Sequence, residues 1–390
     1  MSSAITEREM MLSLRRHLAP GTRGMVELLS KFVRRESPSH QKAAVDRMAA
    51  LVAAEWRRRG ARVRILRQKT RGNHVRAEIW LGRGRPRGQI MVLGHLDTVY
   101  PLGTLASQPF RVSDGRAFGP GTFDMKAGLV LALNAVDALR ALGVRPTKRL
   151  VFFWNSDEEI GSYASRALIE REARRSDAVL VLEPAAGADG RLKTGRKGIG
   201  TAEIIVTGRS AHAGLDPGAG INAVHELALQ IARLKDLNNP KRGIAMQATV
   251  ITGGTVSNVV PHHARVEIDI RYTHVADAQK IERQLRAIRP ILPGAQVEVR
   301  GGINRPPLER TPAVAGLFHH AQKLMRALGQ ELDETTVGGG SDGNFTAALG
   351  VPTLDGLGAI GNGAHSTVEH VAIRSLAERT TLLAGLLATV

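Results

Sequence analysis

Two adjacent acids, Glu158 and Glu159, follow an almost fully apolar run at residues 150–154. Such a run predicts a buried strand, and the Asn-Ser-Asp sequence at 155–157 marks its end. Consecutive acids at the mouth of a core strand repel one another, and each is costly to remove from water. A bound metal ion is the positive charge that compensates them most directly.

Further candidate ligands are also imidazoles and carboxylates, because a chain without cysteine excludes thiolate zinc sites, disulfides and cysteine nucleophiles. Ligands of an open α/β sheet gather beyond the carboxyl ends of its strands. His95 and Glu183 each follow an apolar strand. Asp124 opens a predicted helix, and His365 follows a glycine-rich loop. Asp97 is placed to orient His95, since metal-bound histidines usually donate their other N–H to an acceptor.

Each of these residues alone has an ordinary structural explanation. A histidine after a strand is more often a structural hydrogen-bonding residue, and an aspartate before a helix is more often a cap. Paired glutamates usually lie on a solvated surface. The repeated placement of acids and imidazoles after apolar strands favours a shared site instead.

Strands and helices alternate along the part of the chain that carries these candidates, which predicts an α/β core with a largely parallel sheet. Strands are predicted at 63–66, 75–81, 89–93, 150–154, 178–182 and 352–357, and helices at 22–36, 40–59, 125–142, 164–174, 311–328 and 375–387. The 390 residues are too many for one ordinary core and suit two domains.

A different pattern begins near Lys197. Strands are predicted at 200–207, 247–253, 264–272 and 297–300, and helices at 221–237 and 276–291. Their order is β-α-β-β-α-β, the split βαβ arrangement of a ferredoxin-like α+β domain. The predicted organisation is a discontinuous α/β domain, residues 1–196 and 307–390, into which residues 197–306 are inserted.

The formal charge of +18 comes mostly from arginine, and it suggests nucleic-acid binding as one alternative. The arginines of residues 57–64 alternate with apolar residues as on the wet face of a helix and strand, and aromatic residues make up only 4%, which disfavours that alternative. The segment up to Gly24 lacks the continuous apolar stretch of a signal peptide, and no window approaches a membrane span. We therefore expect a cytoplasmic protein with neither a nucleic-acid nor a membrane partner.

Longer motifs make the chain resemble the M20 metallopeptidases, in particular the glutamate carboxypeptidase (carboxypeptidase G) type. The matching stretches run through nearly the whole chain in order: GHLDTV at 94–99, GPGTFDMKAG at 119–128, DEEIGS at 157–162, Glu183-Pro184, GRSAHAG at 208–214, SNVVP at 257–261 and GGGSD at 338–342. The resemblance implies a zinc-peptidase-like catalytic domain, with residues 197–306 as a lid and dimerisation domain.

The resemblance also implies two zinc ions per subunit, bridged by Asp124, with Co²⁺ or Mn²⁺ as substitutes. His95 and Glu183 would complete one metal site, and Glu159 and His365 the other. Zinc accepts such nitrogen and oxygen donors where no thiolate is present.

Other roles follow from the same motifs. Asp97 would orient His95, and Glu158 would be the general base that passes a proton from water to the leaving nitrogen. His370 competes with His365 for the ligand position, but His365-Ser366 matches the family motif. The peptide bond that follows Asp124 is expected to be cis.

The inserted domain would supply His212, which donates a hydrogen bond to the oxyanion. Because this imidazole reaches the active site of the partner subunit in the family, a homodimer is implied. Asn258 and Arg271 match positions that bind the terminal carboxylate of the substrate, and arginine suits bidentate carboxylate capture.

Two further substrate-binding candidates are weaker. Arg305 precedes Pro306-Pro307, but Arg300 is near enough to compete with it in the alignment. Gly340 is expected to present backbone N–H groups to the substrate.

The expected function is zinc-dependent hydrolysis of an amide bond that releases a C-terminal acidic amino acid, glutamate above all, from an N-acyl or peptidyl substrate. Glu183 supports this expectation, because carboxypeptidases and N-acyl-amino-acid deacylases of the family tend to have glutamate there and aminopeptidases aspartate. A deacylase similar to the acetylornithine or succinyl-diaminopimelate deacylases is the close alternative. A non-catalytic basic binding protein on a peptidase scaffold is the alternative from another class.

Overall fold

A computed structural model describes residues 6–390, and the chain divides into two compact units. The first unit contains the residues up to Gly195, Arg310–Thr336 and Ser341–Val390. The second contains Arg196–Glu309 and the short segment Val337–Gly340. The sequence predicts the inserted part as 197–306 and does not include this short segment.

The elements alternate along the chain. The strands are β1 (Arg62–Leu66), β2 (His74–Ile79), β3 (Gln89–His95), β4 (Arg111–Ser113), β5 (Arg116–Phe118), β6 (Arg149–Asn155), β7 (Ala178–Val181), β8 (Leu192–Arg196), β9 (Gly198–Thr207), β10 (Ala245–Gly253), β11 (His263–Tyr272), β12 (Gln296–Arg305), β13 (Glu334–Val337), β14 (Thr353–Leu354), β15 (Gly361–Asn362) and β16 (His370–Ala372). The helices are α1 (Glu7–Leu18), α2 (Thr22–Val33), α3 (Lys42–Arg58), α4 (Thr104–Ser107), α5 (Ala127–Ala141), α6 (Arg166–Ala173), α7 (Ala223–Leu237), α8 (Ala278–Arg286), α9 (Pro312–Arg326), α10 (Gly343–Ala348) and α11 (Ile373–Thr389).

The central sheet of the first unit has the strand order β1-β2-β6-β3-β7-β14. β6, β3, β7 and β14 run parallel, whereas β2 pairs antiparallel with β6 and β1 antiparallel with β2. Every residue of β3 is buried, as expected for a parallel strand covered on both faces. The predicted α/β class with a largely parallel sheet is confirmed.

Alternate side chains of β3 enter different cores. Ile90 and Val92 join the large core that also contains α1, α2, α3, α5, α9 and α11. Met91 and Leu93 join a smaller core together with Ile169 of α6. Helices therefore cover both faces of the sheet, which leaves its carboxyl edge as the open place for a site.

α5 is apolar on all sides and rich in alanine and leucine, so it lies buried and packs against α11, α2 and α1. α1 begins with a capping box, in which the Thr6 hydroxyl accepts the Glu9 N–H and the Glu9 carboxylate accepts the Thr6 N–H. The start of α5, directly after the turn Thr122–Lys126, is one of the elements that position the site.

The second unit has the chain order β9-α7-β10-β11-α8-β12 and the sheet order β10-β11-β9-β12. All its strand pairs are antiparallel. Residues along β9 and β11 alternate between buried and more exposed positions, so one face of this sheet packs against α7 and α8. The predicted ferredoxin-like α+β arrangement is confirmed.

Several elements differ from their sequence predictions. The helix predicted at 276–291 ends at Arg286, before Pro290 and Pro293, since proline lacks the N–H that a helix interior needs. The strand predicted at 297–300 extends over Gln296–Arg305, and the one predicted at 352–357 shrinks to Thr353–Leu354. The sequence does not predict α1, α4, α10 or the short strands β4, β5, β8, β13, β15 and β16.

Among residues 6–390, no helix combines the length and the apolar character that crossing a bilayer requires. The cytoplasmic location stays a prediction.

Candidate metal centre

Three neighbouring parallel strands carry candidate ligands to one edge of the central sheet. β3 lies between β6 and β7, with His95 opposite Asn155 and Leu93 opposite Val181. His95 is the last residue of β3, the Glu158–Glu159 pair follows the end of β6, and Glu183 follows the end of β7. Because parallel strands end at the same edge, these side chains converge there.

Asp124, in the turn before α5, stands between two imidazoles. Its Oδ1 lies 3.1 Å from Nε2 of His95, and its Oδ2 lies 3.3 Å from Nε2 of His365. Nε2 of His95 is also 3.5 Å from Oε1 of Glu183, and Nε2 of His365 is 3.1 Å from Oε2 of Glu159. The structure thus brings His95 and Glu183 together on one side of Asp124, and His365 and Glu159 on the other.

The adjacent acids Glu158 and Glu159 join different groups of donors. One oxygen of Glu158 and the donor atoms of His95 and Glu183 all lie within 4.8 Å of one another. Glu159 instead forms such a group with His95 and Asp124. The 3₁₀ turn Glu158–Ile160 separates the two side chains, so the pair is divided between the two sides of the centre.

Asp97 contacts both His95 and the backbone of the Glu158–Glu159 pair. Nδ1 of His95 lies 3.0 Å from the Asp97 carbonyl oxygen and 3.5 Å from its Oδ1. The Asp97 carboxylate also accepts the backbone N–H groups of Glu158 and Glu159, both at 3.3 Å, and the Ser39 hydroxyl at 2.7 Å. Since Nδ1 of His95 faces these acceptors, it carries a proton, and Nε2 is the nitrogen that faces Asp124 and Glu183.

The centre has more acid than its imidazoles can balance, and its pKa values reflect this excess. Burial raises the pKa of Glu159 to about 7, and the charge of Asp124 adds to the rise against the hydrogen bond from His365. Hydrogen bonds to Asp124 and Glu159 raise the pKa of His365 to about 10. Burial lowers the pKa of His95, but hydrogen bonds to Asp124, Asp97 and Glu183 outweigh it and raise that pKa well above its usual range.

Burial likewise raises the pKa of Asp124, but the two imidazoles outweigh it and hold the pKa of this carboxyl well below its usual range. In the metal-free protein, protons on the imidazoles therefore supply the positive charge beside Asp124. A divalent metal ion would replace those protons, as metal binding to histidine generally does.

The residues present fit a metal ion. Among residues 6–390, Oε1 of Glu159 is a buried oxygen without any hydrogen-bond partner, although a buried carboxylate oxygen normally has one. A cation beside it would supply the missing interaction. The donor set contains only imidazole nitrogen and carboxylate oxygen, which suits Zn²⁺, Co²⁺ or Mn²⁺.

His370, the competitor of His365, lies elsewhere. Its Nδ1 is 2.9 Å from the Val368 carbonyl oxygen, and its ring packs against Phe118 at 5.1 Å between centroids. The peptide bond between Asp124 and Met125 is cis.

The inserted residues His212 and Asn258 lie in the second unit on neighbouring backbone segments, since the Ala213 N–H donates to the Asn258 carbonyl at 2.9 Å. His212 is exposed, and its Nδ1 accepts the N–H groups of Gly214 and Leu215 at 3.1 and 3.0 Å. In the neutral ring the proton is therefore on Nε2, so this nitrogen is a hydrogen-bond donor.

The remaining substrate-binding candidates also lie in the second unit. Arg271 already forms a bidentate pair with Asp269, with both N···O distances at 2.8 Å, and it donates to the Gly338 carbonyl at 3.3 Å. Arg305 is only 4% exposed, and a Cβ at Gly340 would approach its Cδ to 3.2 Å. A carboxylate ligand of Arg271 would have to share the guanidinium with Asp269.

Sequence reasoning missed residues that support the centre without belonging to a catalytic motif. Ser39 stands directly before the helix predicted at 40–59, a position typical of a helix cap, but it donates to Asp97 across a separation of 58 residues. Glu369 contacts the loop that carries Asp124, and the Tyr100 hydroxyl donates to Glu369. Asp342 accepts the Ser162 hydroxyl at 2.5 Å. Of these residues, only Asp342 belongs to a stretch that the sequence analysis identified, GGGSD at 338–342.

Comparison with known proteins extends these observations to the family level. A sequence profile described as "Peptidase family M20/M25/M40" matches residues 91–389. The match includes every candidate ligand named above.

Individual relatives agree with this match. The chain is 32% identical to carboxypeptidase G2 of Pseudomonas sp. (strain RS-16) over 369 residues, which are 93% of this chain and 88% of the relative. It is 28% identical to the succinyl-diaminopimelate desuccinylase of Stenotrophomonas maltophilia (strain R551-3), over 76% of this chain and 83% of that enzyme. The solved structure of an M20 family metallo-carboxypeptidase, Sso-CP2 from Sulfolobus solfataricus, superposes with a TM-score of 0.75 at 16% identity and covers 93% of this chain and 98% of its own.

Proposed function

We propose that this chain, which belongs to the peptidase family M20/M25/M40, is a dinuclear zinc hydrolase that releases a C-terminal acidic amino acid from an N-acyl or peptidyl substrate. Because the chain belongs to a peptidase family, it is a hydrolase, and we discard the alternative of a non-catalytic basic binding protein. The observation that carries the proposal is the group of His95, Asp124, Glu159, Glu183 and His365 around a carboxylate shared by two imidazoles.

These five side chains would hold two Zn²⁺ ions, or Co²⁺ or Mn²⁺ in their place. Bound metal of this kind polarises a scissile carbonyl and makes water a nucleophile near neutral pH. Asp124 would serve both sites, because each of its oxygens faces a different imidazole.

Glu158 is proposed as the general base. Its carboxylate joins the donor group of His95 and Glu183, whereas that of Glu159 joins the group of His95 and Asp124. It is half-buried and follows the end of β6. Glu158 would take a proton from the attacking water and deliver it to the nitrogen that leaves.

Asp97 and His212 have supporting roles in this proposal. Asp97 fixes the ring of His95 through Nδ1 and fixes the backbone of the glutamate pair. His212 would donate its Nε2–H to the developing oxyanion, since its Nδ1 is occupied by two backbone N–H groups. As the family resemblance implies, this oxyanion would form in the active site of a partner subunit.

The proposed homodimer would form through the second unit. β10 is the edge of its sheet and pairs only with β11 within the described residues. Seven consecutive residues of β10, 247–253, are exposed, and they include Val250 and Ile251. A long, exposed edge strand with apolar side chains is a surface that another chain can cover.

The acidic product is supported by the relative named carboxypeptidase G2 and by the basic candidates Arg271 and Arg305. Asn258 and the backbone at Gly340 would add hydrogen bonds to the same carboxylate. The second candidate function is an N-acyl-amino-acid deacylase, because the relatives also include a succinyl-diaminopimelate desuccinylase.

A substrate panel on zinc-loaded protein separates the two functions. We expect kcat/KM for folyl- or benzoyl-glutamate to exceed that for acetylornithine and succinyl-diaminopimelate, and chelation to abolish hydrolysis until Zn²⁺ or Co²⁺ is restored. A preference for the acylated diamino acids would replace the first function by the second. Hydrolysis that survives complete metal removal would contradict both.

A further inference from the structure

Glu369 is a buried acid that no catalytic motif includes, and its carboxylate contacts the loop that carries the candidate metal ligand Asp124. It is 2% exposed and lies four residues after His365 in the chain. Burying a carboxylate is costly unless hydrogen bonds compensate it. The contacts of Glu369 show where that compensation comes from.

The Glu369 carboxylate accepts three backbone N–H groups of the loop 119–124. Its Oε1 accepts those of Phe123 and Asp124 at 2.8 and 2.9 Å, and its Oε2 accepts that of Gly121 at 2.9 Å. The Glu369 carbonyl oxygen accepts a fourth, from Gly119, at 3.2 Å. The loop contains Pro120, which has no N–H, and Thr122, whose N–H donates to the Gly119 carbonyl.

Glu369 therefore satisfies every backbone N–H of this loop that the loop does not satisfy itself. The loop backbone has positive φ at Gly119 and Gly121, a conformation that glycine adopts most readily. This conformation turns successive N–H groups toward one acceptor, and the loop ends at Asp124.

The segment that contains Glu369 is itself compact. The Ser366 N–H donates to the Gly363 carbonyl at 3.0 Å, and the Glu369 N–H donates to the Ser366 carbonyl at 3.3 Å. The Tyr100 hydroxyl lies 2.5 Å from Oε2 of Glu369 and 2.9 Å from the Ser366 carbonyl oxygen, so it contacts both ends of this turn. His365 lies directly before it, in the turn that the hydrogen bond from Ser366 to Gly363 closes.

We infer that Glu369 is a positioning residue for the metal site formed by Asp124, Glu159 and His365. It joins the loop that carries Asp124 to the turn that carries His365, and it thereby sets the 3.3 Å separation between Asp124 Oδ2 and His365 Nε2. The inference rests on the dinuclear metal site of the proposed function, but not on the identity of the substrate.

Glutamine is the sharpest replacement, because it keeps the shape of the side chain and removes one acceptor. An ionised carboxylate accepts at both oxygens, whereas the amide nitrogen of glutamine only donates. In Glu369→Gln, either the Gly121 N–H or the Phe123 and Asp124 N–H groups would face an NH₂ group. The loop would then lose its fixed position at a metal ligand.

Cobalt titration of metal-free protein tests this role directly, with the visible d–d spectrum and equilibrium dialysis as readouts. We expect wild-type protein to bind two Co²⁺ ions and Glu369→Gln to bind the second with a dissociation constant raised about 10–100-fold, the usual effect of losing an outer partner of a metal ligand. The spectrum of the bound cobalt should change as well.

Glu226→Gln is the matched control. Glu226 is a fully buried carboxylate in the second unit that also accepts backbone N–H groups, those of Ile291 and Leu292, and the amide of Gln230. This variant should lose stability and keep both cobalt affinities and the wild-type spectrum. The comparison separates a positioning role from a general loss of stability.

Wild-type cobalt affinities and spectrum in folded Glu369→Gln would overturn the inference. If this variant does not fold, Tyr100→Phe decides, because it removes only the hydroxyl at Oε2. A weaker second cobalt in Tyr100→Phe supports the inference, and an unchanged titration contradicts it. Two cobalt ions in a wild-type protein that hydrolyses none of the acylated amino acids would defeat the proposed function and leave this test intact.

Discussion

The acids of the metal centre differ in their surroundings even where they are adjacent in the sequence. Glu159 has a side chain that is only 6% exposed and an oxygen that meets no partner within residues 6–390. Glu158 is half-buried and lies on the side of His95 and Glu183. The donor groups that the two acids join, rather than residue type, separate a proposed ligand from a proposed base.

Ser39 supports this centre through a single hydrogen bond, and we predict that its loss is measurable. Ser39→Ala removes a 2.7 Å bond to the buried Asp97 carboxylate, which should lower the free energy of unfolding by about 1.5–3 kcal/mol. Because Asp97 orients His95, metal affinity should fall about tenfold as well. Urea denaturation and a zinc competition titration measure the two effects.

Ser37→Ala is the control for this prediction. Ser37 is buried two residues away, and within residues 6–390 its hydroxyl meets no hydrogen-bond partner. Removing an unsatisfied buried hydroxyl should leave stability unchanged or raise it, with wild-type metal affinity. Equal losses in both variants would show that the Ser39–Asp97 bond has no special importance.

Residues with a local signal could be predicted from the sequence, and residues without one could not. The acids and imidazoles after apolar strands stood out because polar side chains rarely follow such runs together. Ser39 and Glu369 act across separations of 58 and about 250 residues, so their neighbours in sequence suggest only a cap and a surface acid. The preference for His365 over His370 depended on the family motif, since both follow the same glycine-rich loop.

At the scale of elements, the start of α5 is the part of the fold on which the centre depends most. It begins three residues after Asp124, and it lies against the segment that leads to Glu183. Close approach here requires glycine at position 128, where a Cβ would lie 2.6 Å from the Leu182 carbonyl oxygen and 2.5 Å from Cε of Met125.

We predict that Gly128→Ala pushes the start of α5 away from Leu182. Overpacking of this kind costs about 1–3 kcal/mol, and the shift should weaken metal binding because it separates Asp124 from Glu183. Thermal unfolding and metal content after dialysis provide the measurements.

Gly316→Ala in α9 is the control, since nothing lies within 4 Å of the position that its Cβ would occupy. In a helix, alanine is favoured over glycine by up to about 1 kcal/mol, so this variant should be slightly stabilised. A Gly128→Ala protein as stable and as rich in metal as Gly316→Ala would contradict the close-approach argument.

Long periodic elements could be predicted and very short ones could not. The helix predicted at 125–142 is observed at Ala127–Ala141, because its continuous apolar pattern has a single interpretation at that length. β15 has two residues, which is too few to show any period, and β14 keeps only two of the residues predicted as a strand at 352–357. Their positions are fixed by pairing with β16 and β7, and such pairing is a tertiary effect that no local pattern shows.

At the scale of the whole molecule, the proposed homodimer makes a prediction about mass. A wild-type dimer should have about twice the 41.9 kDa of one chain in sedimentation equilibrium. Ile251→Lys places a charge on the exposed edge strand β10, where Ile251 is 60% exposed, and should yield monomers.

Val112→Lys is the control, because Val112 is a similarly exposed apolar residue, 54%, in the first unit. It should leave the dimer unchanged. A monomeric wild-type protein, or a dimer that persists in Ile251→Lys, would contradict assembly through β10.

The fold class and the family could both be reached from the sequence, since motifs spaced along nearly the whole chain agree with the alternation of its elements. The substrate could not. Arg271 shows why, because its motif position suggests a carboxylate site while its guanidinium is paired with Asp269 of the same strand. A side chain's partners decide what it can bind, and they are set by packing.

The central claim is that Glu158 moves a proton at a centre whose metals are held by other residues. The most direct test is to reconstitute Glu158→Gln with Zn²⁺ and to measure its metal content and turnover together, beside Glu159→Gln. We predict that Glu158→Gln retains two metal ions per chain and loses about 10²–10⁴-fold in kcat, whereas Glu159→Gln binds one metal weakly. Loss of a metal from Glu158→Gln, or turnover near that of the wild type, would contradict the claim.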